Sequence, residues 1–297
     1  MEAQLSNTSG PAPVELVGFE VRLGAHTDVG QVRGDNEDRM LVFEVVNRRA
    51  VPADTTVVAD GSKAGFLMMV ADGMGGMSGG ETASQMCVDS VPELFLKHMD
   101  SAQGTPGEQR RAALLAAIHE TNARIYARAA SDVSLRGMGC TLTATLLTGN
   151  ALLVGQVGDS RAYLGRNGSV QQLTRDQTVW ESLRAQGRDP EAALGMSQFK
   201  SMLLQAVGAQ LEVQPVLTEV ELQAGDWLVL CSDGLYRVVE AEQINEILKA
   251  ASDPAQKARE LTALANKNGG PDNVSVVICH VVARSSVDAG KGVTAAA

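Results

Sequence analysis

An α+β fold, an antiparallel β-sandwich with helices packed outside it, is what this sequence predicts, and three observations predict it. Short runs rich in Val, Leu and Thr, bounded by Gly, Asn and Asp, recur along the chain and read as strands. In "LTGNALL" the pair Gly149-Asn150 stands between two such runs, a hairpin signal. Runs joined in this way outnumber the strand-helix-strand alternation that a parallel sheet needs.

Taken in order, the strand-like segments before the first helix are "FEVRLGAHTD", "RMLVFEVV" and "GFLMMVA". A helical pattern starts near Gly80 and repeats apolar residues at Ala83, Met86, Cys87, Val91, Leu94 and Phe95. A second runs from about Gly107 to Ala130, with Leu114, Ile118 and Ile125 on its inward face. Strands resume with "TLTATLLT", "ALLVGQVG" and "RAYLG", then "VLTEVEL" and "DWLVLCS". The helical pair "AEQINEILKAA" and "PAQKARELTALANKN" precedes the last strand, "NVSVVICHVVA". Residues 1–17 are rich in Ser, Pro and Ala, and residues 285–297 are small and polar, so both are expected to be loose. Between them neither a linker nor an internal repeat interrupts residues 18–284, which predicts a single domain.

Composition excludes several function classes. A formal net charge of −10 opposes non-specific nucleic-acid binding and attraction to anionic membranes. No apolar run is long enough to span a bilayer, and "MEAQLSNTSGPAPVE" lacks the parts of a signal peptide. Cys87, Cys140, Cys231 and Cys279 lie far apart among apolar neighbours and read as reduced core residues. The histidines form no zinc pattern. A soluble, monomeric, cytoplasmic protein is the expectation.

The stretch "VADGMGGMSGG" places Asp72 where an apolar run stops and follows it with glycines. Asp159, Asp233 and Asp272 also stand where apolar strands stop or begin. A carboxylate in such a place is partly desolvated, which is costly without a cation or donors. Carboxylates brought together at strand ends repel unless something positive lies between them. Hard oxygen ligands without His or Cys pairs point to magnesium or manganese. Glycines at 73, 75 and 76 would let backbone approach an ion closely. A simple turn explains the glycines but leaves Asp72 without a partner. A nucleotide-binding P-loop would need a Gly-Lys-Ser/Thr ending, which does not follow. Gly76-Met77-Ser78-Gly79-Gly80 matches a serine-hydrolase elbow, but the one late histidine, His280, sits inside a strand-like run.

The segments "TDVGQVRGDNED", "VADGMGG", "GCTLTATLL", "VGDSRAYL", "LTRDQT", "CSDGL" and "PDNVSVVI" occur in the order typical of the PPM family. The chain thus resembles the PP2C-like, metal-dependent protein serine/threonine phosphatases, in their bacterial branch, from about Phe19 to Ala283. The resemblance implies two stacked antiparallel β-sheets flanked by α-helices, a four-layer αββα sandwich with a metal cleft at one end. It implies that Asp72 bridges two Mn²⁺ or Mg²⁺ ions, that Gly73 lends its carbonyl, and that Asp233 and Asp272 complete one ion's shell. Glu37 and Asp38 match the acidic pair that orders water on the ions, and Asp159 is grouped with them as an outer acid. Arg33 matches the arginine that grips the substrate phosphate, for which a planar guanidinium is suited. Without that context, Arg33 would read as a surface partner of Glu37 or Asp38. Two such ions make water acidic enough to attack a phosphate ester near neutral pH.

Two positions depart from the family pattern. Met74 stands where some members carry a histidine proposed to protonate the leaving group, and methionine has no proton to give. Ser134 and Arg136 stand near the place of a third-metal aspartate, which leaves Asp132 as the nearest acid and the candidate ligand for a third ion. Residues 179–200 lie where the family has a variable flap, and there Trp180, Arg184 and Arg188 either contact a phosphopeptide or form a solvated amphipathic helix. The implied partners are phosphoprotein substrates and a serine/threonine kinase, with no nucleic acid and no membrane.

Overall fold

The computed structural model describes residues 19–63, 65–75, 79–194 and 201–283. The two terminal segments, Ser78 of the elbow pattern and residues 195–200 of the flap lie outside the described residues. In chain order the elements begin with strands β1 (Phe19–Asp28), β2 (Asp38–Glu44), β3 (Arg49–Val51), β4 (Val57–Asp60) and β5 (Gly65–Met74). Helices α1 (Gly79–Ser101) and α2 (Pro106–Ser131) follow, then strands β6 (Gly139–Cys140), β7 (Leu142–Thr148), β8 (Ala151–Val157), β9 (Arg161–Arg166) and β10 (Ser169–Gln172). The remainder is α3 (Val179–Ala185), α4 (Pro190–Leu194), β11 (Val216–Glu221), β12 (Trp227–Cys231), α5 (Asp233–Tyr236), α6 (Ala241–Lys249), α7 (Pro254–Lys267) and β13 (Val274–Ala283).

The strands form two sheets whose pairings are antiparallel. One runs β10-β9-β12-β13-β1-β4, the other β11-β8-β7-β5-β2-β3 with β6 beside β5. Alternation of side chains explains the layering. In β5, Leu67, Met69 and Ala71 face α1 and α2, while Phe66, Met68 and Val70 face the other sheet. In β13, Val277, Cys279 and Val281 fill the space between the sheets, while Val274, Val276 and Ile278 pack under α6 and α7. Strands buried on both faces must be apolar throughout, which is why "GFLMMVA" and "NVSVVICHVVA" read as continuous runs. The result is four layers, helices–sheet–sheet–helices, as expected.

Both long helices lie where the apolar spacing put them. Thr105 caps α2 by accepting from the Glu108 amide, and the Glu108 carboxylate reaches back to the Thr105 amide. Such a box is worth about 1 kcal/mol. Lys257 of α7 is wholly buried, and its ammonium donates to the Ile247 and Ala250 carbonyls at 2.7 and 2.6 Å, closing the end of α6. The four cysteines are free and buried. Strands β3, β4, β6 and β10 were not predicted: they are short, and β3, β4 and β10 lie at sheet edges, where apolar alternation is not required. Among the described residues no helix is long and apolar enough to cross a membrane.

Candidate active site

Sheet register brings the first acids together. In the β2–β5 ladder Asp38 stands directly opposite Asp72, and in the β5–β6 ladder Gly73 stands opposite Cys140. Asp72 therefore lies within β5 and not at its end, two residues before the strand stops. Its amide donates to Thr141 Oγ1 at 3.1 Å, and its carbonyl accepts from the Thr141 amide at 2.8 Å. The other sheet supplies Asp233, first residue of α5 directly beyond β12, and Asp272, just before β13.

Asn273 holds the loop between β1 and β2 against this end of the sheets. Its side chain accepts from the Glu37 amide at 2.8 Å and donates to the Val29 and Asp35 carbonyls, both at 2.9 Å. That fixes Arg33 and Glu37 over the acids. Gly73 is required here by packing: a Cβ would come within 2.3 Å of the Gly80 carbonyl oxygen and 2.6 Å of that of Glu37. Strand, helix start and loop approach too closely at this point for any side chain.

The outcome is a cleft of about 540 Å³ lined by Glu37, Asp72, Asp159, Asp233 and Asp272 together with Arg33 and Arg237. Gly73, Met74, Thr141 and Asn273 also line it. Asp38 lies buried beneath, accepting from the Ser232 hydroxyl at 2.6 Å. Arg33 pairs with Asp272 at 2.8 Å, and not with Glu37 or Asp38 as its sequence neighbours suggested. Arg237 pairs with Asp233, and its guanidinium stands 3.9 Å from the same Asp272 oxygen that Arg33 holds.

Crowding of like charges away from water sets the electrostatics. Burial, followed by the charges of Asp233, Asp38, Asp159 and Asp272, pushes Asp72 well above the usual carboxylate range. Burial pushes Asp233 up to about 7 although Arg237 opposes the shift, and Asp38 up to about 6 although Ser232 and Ser275 oppose it. Asp159 is also raised by burial, against a hydrogen bond from Tyr236. Glu37 is raised, again chiefly by burial.

The sequence-predicted residues Arg33, Glu37, Asp72, Gly73, Asp159, Asp233 and Asp272 thus share one cleft, with Asp38 under its floor. Asp132 does not. It caps the turn after α2, accepting from the Ser134 amide at 3.1 Å and hydroxyl at 2.6 Å, and pairs with Arg128 at 3.2 Å. With those partners Asp132 is not among the residues that line the cleft. Trp180 and Arg184 line a neighbouring hollow of about 250 Å³ with Asp159, Arg161, Tyr236 and Arg237, and Arg188 is not part of it. Arg237, Asn273, Ser232 and Thr141 were missed, although each sits in or beside a motif already read.

Residues 48–267 match the family model described as Protein phosphatase 2C. The chain belongs to the protein phosphatase 2C family. It is 39% identical over 263 residues to serine/threonine protein phosphatase PstP of Mycobacterium tuberculosis, covering 88% of this chain and 45% of that protein. It therefore spans about half the length of that relative. It is 34% identical over 253 residues to serine/threonine phosphatase stp of Listeria innocua, covering 85% of this chain and 92% of that one. A crystal structure of the PstP catalytic domain in complex with two manganese ions superposes with a TM-score of 0.67 at 36% identity, covering 89% of this chain and 99% of that one. The protein phosphatase 2C fold and the two-sheet architecture described above are therefore the same arrangement.

Proposed function

We propose that this chain is a metal-dependent protein phosphatase that hydrolyses phosphoserine and phosphothreonine in proteins. The observation that carries the reading is the meeting of Asp72, Asp233 and Asp272, far apart in sequence, in one cleft beside Arg33. Relatives named serine/threonine phosphatases support it.

The residues fit hard divalent cations. Asp233 Oδ1 is buried with no hydrogen-bond partner, an orphaned acceptor aimed at nothing the protein supplies. The cleft's acids raise one another's proton affinity, as expected where a cation is the natural counter-charge. Asp72, the Gly73 carbonyl, Asp233 and Asp272 would hold two Mn²⁺ or Mg²⁺ ions. When bound, such ions acidify water and neutralise charge on phosphoryl oxygens.

The chain's own residues then do the following. Glu37 and Asp38, with Asp159 at the cleft wall, accept hydrogen bonds from water and orient it. Arg33 offers its planar guanidinium to two phosphate oxygens and sets the ester in line. Water adds to phosphorus as the bond to the serine or threonine oxygen breaks, with no covalent bond to the protein. Met74 lines the cleft but carries no proton, so the departing alkoxide would take its proton from water at the site or from another residue.

Buried, reduced cysteines are consistent with a cytoplasmic setting. A protein that removes phosphate from serine and threonine requires a kinase that installs it, and we place a serine/threonine kinase as its opposing partner.

The test is hydrolysis of p-nitrophenyl phosphate and a phosphothreonine peptide with Mn²⁺ and with excess EDTA. Metal-dependent release is expected, and Asp72→Asn should lose about 100-fold or more in turnover even at saturating Mn²⁺. Near-normal turnover by that variant overturns the assignment.

A further inference from the structure

A second guanidinium stands among the acids of the cleft. Arg237 follows α5 and lies one helical turn beyond Asp233. Its amide donates to the Asp233 carbonyl at 3.1 Å, which fixes the backbone, and its side chain pairs with Asp233 Oδ2. The partner oxygen, Asp233 Oδ1, is buried and unsatisfied. The same guanidinium reaches to 3.9 Å from Asp272 Oδ2, which accepts from Arg33 at 2.8 Å.

Both carboxylates that would complete one ion's shell are thus answered by arginine. A divalent ion taking the free Asp233 Oδ1 would lie close to this guanidinium, whose positive charge opposes it. Arg237 also lines the neighbouring hollow with Asp159, Asp176 and Glu181, where Arg161 holds Asp176 and Arg175 and Arg184 pair with Glu181.

Resting on the two-metal reading above, we infer that Arg237 is an internal counter-ion of Asp233 and Asp272 whose positive charge a divalent cation must overcome, so that this residue sets the metal affinity of the cleft. It is a positioning residue, acting through Asp233. Removing it deletes a positive charge beside the cation's ligands, which tightens metal binding.

The test is isothermal titration of the full chain with Mn²⁺ after EDTA treatment and buffer exchange, for wild type, Arg237→Gln, Arg237→Met and Arg237→Lys. The two neutral variants should bind Mn²⁺ roughly five- to tenfold more tightly. Their melting temperatures should be lower without metal and should rise more on adding it. Arg237→Lys, which keeps the charge, should stay within about threefold of wild type. Unchanged or weaker Mn²⁺ binding in a neutral variant that melts cooperatively overturns the inference, as does a lysine variant as tight as the neutral ones. Should Arg237→Gln fail to fold, Arg237→Met, of similar length, decides alone. Absence of Mn²⁺ binding by wild type would instead reject the two-metal reading itself, whereas binding by wild type with unchanged variants rejects only the role of Arg237.

Discussion

The Ser232 hydroxyl, just beyond β12 of one sheet, donates to Asp38 in β2 of the other at 2.6 Å, across 194 residues of chain. The same hydroxyl accepts from the Ser275 amide at 3.0 Å, so a single oxygen ties three strands together beneath the cleft. The tie favours the charged form of a carboxylate that burial pushes up to about 6. It supports the floor on which Asp72 sits.

Ser232→Ala should therefore cost about 1–3 kcal/mol at pH 8, where Asp38 must be charged and loses a donor. At pH 5, where Asp38 is protonated in the folded protein, the loss should be smaller. Urea unfolding at the two pH values, in excess EDTA, measures both. Equal losses would mean that the hydroxyl matters for packing and not for the charge on Asp38.

Arg33 is half exposed and paired to Asp272, so its removal should barely affect folding, by less than about 1 kcal/mol. Its effect should fall on substrate use. Arg33→Ala is expected to lower kcat/KM for a phosphothreonine peptide by about 10- to 100-fold, with Arg33→Lys recovering part of it. Steady-state kinetics at saturating Mn²⁺ checks this. A normal kcat/KM would take Arg33 out of the phosphate site.

Much of this architecture was legible because burial writes itself into sequence. Strands β5 and β13 are covered on both faces and had to be apolar runs, and α1 and α2 show their inward faces at helical spacing. The acids of the cleft stood out because Asp is expensive beside such runs. What escaped notice depends on geometry that spacing does not encode. The role of Asn273 rests on loop carbonyls 238 and 244 residues away in sequence. Arg237 looks like an ordinary surface arginine until the four-residue helix α5 turns it back onto Asp233. Asp132 stands at the end of α2, where Arg128 and Ser134 engage it, and nearness in sequence to the "GMGCT" strand does not by itself carry an acid into the cleft lining.

Chelation and pH should act together on stability. Asp233, at about 7, and Asp38, at about 6, hold protons in the folded state that the unfolded chain, near 3.8, has released. Folded carboxylates raised in this way favour folding at low pH, and the advantage is lost as pH rises through about 6 to 7. In EDTA, then, these acids should make the protein less stable at pH 7.5 than at pH 5.5. Mn²⁺ requires the deprotonated acids, so the gain in Tm on adding it should be larger at pH 7.5. Thermal melts under the four conditions test the sign. A gain that shrinks toward pH 7.5 would show that the cation binds elsewhere.

His280 should work in the opposite direction, far from the cleft. Its ring stacks on Trp227 with centroids 3.7 Å apart and planes 4° from parallel. Burial, with Arg22 and Lys257 adding repulsion, lowers its pKa from 6.5 to about 4. The neutral ring is favoured in the folded state, so its contribution is fully present above about pH 6.5 and is lost as pH falls toward 4. Because the ring is only partly buried, solvent screening reduces the loss to about 1–2 kcal/mol. His280→Phe keeps an aromatic ring on Trp227 but cannot titrate. Relative to wild type, the variant should gain about that much stability between pH 7 and pH 4.5 in urea unfolding. A difference that stays flat across the window would mean that His280 is not held neutral by the fold.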